Sequence, residues 1–296
     1  MFNLTARMTG MAPIALLASF MAYAVLVQGS TVPQTAPDSG AVARALNNEI
    51  AAAGDSSHPM QYRLRKSSPR LTTTKELIET RDGLVALLLS VNDAPPSPED
   101  RSKEQDRIDA LLADPGKQQH RKQSQQADTA RAMKILRVLP KAFLYQDAGP
   151  QAASSASGSS GTVERFTFTP NPNFEPPDLE TQILTQMTGE IWIDLAHQRV
   201  THLEGHLQND VDFGWGILGR LYKGGSVSIE QSDIGNGIWR ITRFQMKMSG
   251  RVFFKTKVFD TAEEETHFAP VSASLDYKQA IQMLRASQKG PISDSR

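Results

Sequence analysis

His202, Glu204 and His206 stand at every second position of one short stretch. On an extended strand such residues share a face, about 7 Å apart in succession at a rise of roughly 3.3 Å per residue. Imidazole and carboxylate both bind zinc, nickel and copper, and two ligands at i and i+2 can share one ion. These three are therefore the best metal candidate in the chain. The same alternation, with Leu203, Gly205 and Leu207 turned to the core, is also what any half-solvated strand gives. Glu263, Glu264 and Glu265 offer paired carboxylates of the kind glycoside hydrolysis uses. Consecutive acids on a strand alternate in direction, so the expectation is a solvated edge that discourages aggregation. Asp210, Asp212 and the Gly214, Trp215, Gly216 run lack the strand-to-helix setting and the lysine of a phosphate loop. They are expected to form a loop or bulge. No Gly-x-Ser-x-Gly or His-Glu-x-x-His run occurs, so the commonest hydrolase signatures are missing and no catalytic residue is assigned. Phe166, Phe168, Trp192, Trp239 and Phe253, with Trp215 and Phe254 near them, can line an apolar cavity or fill a core.

The bulk of the sequence narrows the chemistry further. None of the 296 residues is cysteine, which removes thiol catalysis, thiolate zinc and iron–sulfur clusters together. No cofactor is expected. Basic and acidic residues balance at 32 each, which argues against a nucleic-acid partner. At the N-terminus Arg7 precedes an apolar run from Met11 to Val27, with Val27 and Gly29 small enough for a cleavage site. Residues 1–29 are read as a signal peptide or, if uncleaved, an inner-membrane tether. In either case the rest of the chain is expected outside the cytoplasm, in a bacterial periplasm, with membrane contact only through that segment or transiently. Residues 30–40 read as a flexible lead-in.

Helix and strand signals place these side chains. Val42, Leu46 and Ile50 recur as a helix stripe that Gly54 ends. A strand around Tyr62 to Lys66 is followed by Glu76 to Thr80, the Asp82-Gly83 pair and Leu84 to Val91, a hairpin pattern. Ser97, Pro98, Glu99 and Asp100 make a helix start. Asp114, Pro115 and Gly116 stop that helix. A polar stretch from Lys117 to Gln126 leads to a second helix over Ala132, Ile135, Leu136 and Leu139, ended by Pro140. The charges of 101–122 are expected to be a solvated helix face. A Ser/Gly-rich loop at 149–162 follows. Short strands then recur over 183–188, 190–195, 199–207, 218–222, 226–231, 238–248 and 251–259, with Asn236-Gly237 and Ser249-Gly250 as turns. Tyr277, Ala280, Ile281 and Leu284 mark a terminal helix. The sum is one α+β domain over 41–290. It holds a large curved antiparallel sheet, a few helices and a helical insertion at 97–140.

Two stretches add a resemblance. Gly189 to Asp194, a short turn, and Arg199 to Gly205 resemble a hairpin of the outer-membrane lipoprotein carrier and sorting superfamily. Gly237 to Thr242 resembles a later strand of the same superfamily. The resemblance spans roughly 163–270 and implies a half-open antiparallel barrel with helices packed on its concave side, where the carriers hold acyl chains. On that reading the chain is a non-enzymatic periplasmic binding or carrier-like protein, and Phe166, Phe168, Trp192, Trp239 and Phe253 line an apolar cavity for a lipid or acylated ligand. The helical insertion and the Ser/Gly loop depart from the carriers. They favour the alternative of an envelope scaffold that docks a partner protein. An envelope hydrolase is the third reading.

Overall fold

The computed structural model describes residues 40–152, 162–213, 219–252 and 254–287. The signal segment, most of the lead-in, residues 153–161 of the Ser/Gly loop, the Gly214 to Gly216 run and Phe253 lie outside them. In chain order the elements are α1 (Gly40–Gly54), β1 (Met60–Ser68), β2 (Leu71–Ile78), β3 (Val85–Val91), α2 (Pro98–Ala113) and α3 (Pro115–Ala142). Then come β4 (Phe143–Ala152), β5 (Thr162–Pro170), α4 (Leu179–Gln182), β6 (Met187–Asp194), β7 (Arg199–Leu207), β8 (Val211–Phe213) and β9 (Gly219–Leu221). The last are β10 (Ser226–Asp233), β11 (Trp239–Val252), β12 (Lys255–Pro270) and α5 (Tyr277–Ser287).

The fold is α+β, as the sequence leads one to expect. Its strands form a large antiparallel sheet in the order β3-β2-β1-β12-β11-β10-β7-β6-β5-β4, which does not close into a barrel. The short β8 and β9 join it through β11. By its contacts the described chain divides into two units, 55–129 with 263–287, and 40–54 with 130–262.

In the first unit β2 and β3 form the expected hairpin, with Ile78 opposite Val85. Gly83 turns it at φ +97, where a side chain is strained, and a Cβ there would lie 2.9 Å from Gln125 Oε1. β3 is an edge strand, and α2 covers its open backbone. Glu104 accepts from Leu88 N–H at 2.8 Å, and Arg107 donates to Ala86 O at 2.5 Å. α2 begins on a capping box in which Ser97 and Asp100 satisfy each other's backbone N–H.

The polar stretch after Gly116 is not a break. Lys, Gln and Arg are good helix formers, and α3 runs through it as one 28-residue helix with Pro140 inside its last turns. Most of its polar side chains, with Lys117, Gln119, His120, Gln123, Ser124 and Gln126 exposed, are the solvated face expected, and a few turn inward instead. Gln118 is 2% exposed and donates to Asp82 O, while Gln125 accepts from Leu84 N–H. A loop backbone that must be satisfied has recruited them. Ile78, Val85 and Leu87 pack with Ile108 and Leu111 of α2 and with Tyr277, Ala280, Ile281 and Leu284 of α5. Glu263 corrects another expectation. It is 3% exposed and pairs with Lys66 at 2.6 Å, because its strand lies inside the sheet and not at an edge.

The second unit packs α1 and the end of α3 on the inner face of its strands. Val42, Ala45, Leu46, Leu139 and Ala142 meet Phe143, Tyr145, Phe166, Phe168, Ile191 and Ile193. Gly189 and Gly205 stand opposite each other on β6 and β7; a side chain at Gly189 would meet the backbone carbonyl of Glu204 and the Phe168 ring, and one at Gly205 would meet the Met187 methyl. β4 has no counterpart in the sequence reading. The stretch 183–188, read as a strand, begins instead with a 3-10 turn, Ile183–Gln186, directly after α4, and enters β6 only at Met187. Asp178 starts α4 by accepting from Thr181 N–H at 3.0 Å. Ser249-Gly250 is no turn but part of β11. Gly250 lies opposite Leu221, and a Cβ would come 2.5 Å from Arg220 O. The glycine serves close strand approach.

Candidate metal centre on the polar sheet face

The β6–β7 hairpin builds the site. Asp194 accepts from His197 N–H at 2.9 Å and so closes the turn. Arg199 opens β7 and is fixed from α1: its Nε and Nη2 donate to Glu49 at 2.9 and 2.7 Å. Glu49 also accepts from Val200 N–H and from Gln231. Arg199 further lies over the Trp239 ring at 5.5 Å. The Asp and Arg of the resemblance motif are thus a turn closure and a helix anchor in this chain.

Ile193 pairs with Val200 and Trp192 with His202, so Thr201 is an extra residue. Val200 and Thr201 are both buried. The bulge absorbs Thr201, and alternation then turns His202, Glu204 and His206 to the polar face. From there the register sets Glu190 beside Glu204 and Thr188 beside His206.

One ligand atom each from Glu190, His202 and Glu204 lies within 4.8 Å of the others. His202 Nε2 is 3.7 Å from one Glu204 oxygen, and His206 Nε2 is 3.1 Å from the other. Trp192 Nε1 donates to Glu190 at 3.0 Å, and Arg165 stands 3.8 Å from its second oxygen. The His202 ring packs on Trp192, centroids 4.9 Å apart. The His202 side chain is 17% exposed and that of Glu204 39%, so the cluster faces solvent on one side. On β10, Ser228 stands opposite Glu204 and Glu230 opposite His202, and Arg243 takes Glu230 at 2.6 Å.

Ligand atoms around tetrahedral zinc stand about 3.3 Å apart, from metal–ligand bonds of about 2.0–2.2 Å. Small χ rotations of two glutamates close a 4.8 Å triangle to that size. One imidazole and two carboxylates suit zinc, nickel or copper, with solvent or His206 left for a fourth position. The hydrogen bond from Trp192 and the nearby Arg165 charge hold the Glu190 carboxylate in place, as outer partners of ligands do.

Glu190 was missed in the sequence because it lies twelve or more positions from the histidines on another strand. The hairpin register alone brings it in, and the tight turn between Asp194 and Arg199 carries that signal. The aromatic candidates do not share one surface. Phe166 and Phe168 are 4% exposed in the core, with the Phe168 ring 4.4 Å from that of Phe143. Trp192 is on the opposite, polar face, and Trp239 lies by His197 and Arg199. Phe253 is outside the described residues. Asp212 is held by two bonds from Arg220 across β8 and β9, at 2.6 and 2.9 Å, which is a structural role. Among protein-family models, curated proteins and solved structures, no match to this chain was found.

Proposed function

We propose that the chain is an exported, non-enzymatic binding protein of a bacterial envelope that takes a divalent transition-metal ion at Glu190, His202 and Glu204. One observation carries this reading: three ligand atoms from two neighbouring strands converge within 4.8 Å, on a face that water reaches. The apolar run from Met11 to Val27 supports export. The missing hydrolase signatures support binding over catalysis. Elemental analysis of tag-free protein, loaded with zinc, nickel or copper and then dialysed, tests it. About one ion per chain retained supports the reading, and none retained ends it.

The acyl-chain carrier reading is carried by a different observation, the rings of Phe143, Tyr145, Phe166 and Phe168 gathered in one core with α1. It requires α1 to leave β6 and β7 so that a chain can reach those rings. Mass spectrometry of an organic extract of the mature protein tests it. Stoichiometric phospholipid supports it, and an empty extract from folded protein removes it.

A further inference from the structure

β11 and β12 are neighbours in the sheet, and the chain passes from one to the other between Val252 and Lys255. Phe254 sits in that turn and is 97% exposed, and Val258, near the start of β12, is 71% exposed. The other exposed large hydrophobic side chains among the described residues, Leu71, Leu144, Leu195 and Met283, are 39–48% exposed. Single apolar side chains at a surface are ordinary, but two this bare within five positions mark an interaction site. Phe259 packs against the core, and strand alternation turns Val258 away from it. Residues 254–258 are exposed throughout, so nothing in the described chain covers the patch.

The charges beside it have one sign. Over residues 243–259 the sequence holds five cations, Arg243, Lys247, Arg251, Lys255 and Lys257, and no acid, in a chain whose charges balance overall. Arg243 is matched by Glu230 at 2.6 Å. β9 sets Arg220 opposite Arg251, and Asp212 already holds Arg220 at 2.6 Å. Lys247, Lys255 and Lys257 are exposed.

We propose that the β11–β12 turn docks on an anionic phospholipid surface, with Phe254 and Val258 entering the headgroup region and Lys255 and Lys257 on the phosphates. Lysine stems lie along apolar surface while their ammonium groups stay at the charged layer, so cations beside an apolar tip match both layers of a bilayer face. Each signal is weak alone, and an apolar signal joined to a basic one gives reversible binding. A nucleic acid would also take the lysines, but it reads through stacking, and the aliphatic Val258 has no ring to stack. The site shares no residue with the metal cluster, and export decides only which bilayer it meets.

The test sediments the mature protein, residues 30–296, with vesicles of phosphatidylcholine alone or mixed equally with phosphatidylglycerol, in EDTA so that no metal contributes. That chain keeps every described element and lacks the apolar run from Met11 to Val27, which would enter any bilayer. Mixed vesicles are expected to bind it and phosphatidylcholine vesicles to bind it weakly. Phe254→Ser is expected to weaken binding by at least about tenfold. Lys255→Ser combined with Lys257→Ser is expected to weaken it roughly 25-fold, about fivefold per lysine. These positions are exposed, so both variants are expected to fold, with circular dichroism as the check. Phe254→Trp is expected to gain blue-shifted emission on mixed vesicles as the new indole leaves water. The proposal is overturned if mixed vesicles are not bound, if either variant binds them as the native chain does, or if a single-stranded oligonucleotide displaces the protein from them.

Discussion

Replacing Glu49 by alanine removes the carboxylate on which the start of β7 is built. Glu49 and Arg199 have side chains only 11% and 13% exposed. The carboxylate accepts from both donor nitrogens of Arg199, from Val200 N–H and from Gln231. Its loss leaves a guanidinium without its counter-charge and the Val200 N–H without its acceptor, while Gln231 keeps its bond to Val200 O. Breaking one side of a buried pair costs about 3–5 kcal/mol. Urea unfolding followed by tryptophan fluorescence reads this, because Trp192 and Trp239 both belong to this unit and Trp239 lies under Arg199. With a denaturant slope of roughly 2 kcal/mol per molar, the midpoint falls by roughly 2 M. Glu49→Met combined with Arg199→Met is expected to recover to within about 1 kcal/mol of the native chain, since an apolar pair avoids the desolvation cost. A loss under about 1 kcal/mol in Glu49→Ala, or a double variant as weak as the two losses added, would refute the reasoning.

Lys75 gives a pH dependence of known sign. Its folded value is lowered from 10.5 to about 8 by burial. Between those values the unfolded chain holds more protons, so stability rises with pH across that window, by roughly 3 kcal/mol in all. Denaturation midpoints at several pH values check this, and Lys75→Met is expected to be more stable at neutral pH and to lack the rise. Gly189→Ala drives a methyl into the backbone carbonyl of Glu204 as well as to 2.7 Å from Phe168 Cζ and is expected to cost about 3 kcal/mol or more, read from thermal melting. Ser97→Ala removes the capping hydroxyl of α2 and is expected to cost about 1 kcal/mol in the same assay.

What the sequence discloses is what short-range physics decides. The α1 stripe, the Ser97 cap, the Asp82-Gly83 hairpin and the α5 periodicity are local patterns, and each has its element in the structure. The polar half of α3 is legible only once one knows that the backbone of residues 81–84 lies beneath it. Glu263 is misread for the same reason, because its partner Lys66 is remote in the chain. Gly250 looks like a turn residue, but the approach of β9 is what requires it. At the candidate site the strand period places His202 and Glu204 on one face. Glu190 and the bulge at Thr201 depend on pairing between strands, which periodicity within one strand does not encode.

The most direct test of the metal-binding claim is a Co²⁺ titration of the tag-free full chain, read by visible absorption and repeated with Glu190→Gln and His202→Gln. The expected result is a saturable d–d band at about one ion per chain, abolished in both variants and weakened roughly 10–100-fold by Trp192→Phe, which frees Glu190 from its indole donor. A chain that gives no band, or one whose band survives Glu190→Gln and His202→Gln unchanged, would contradict it.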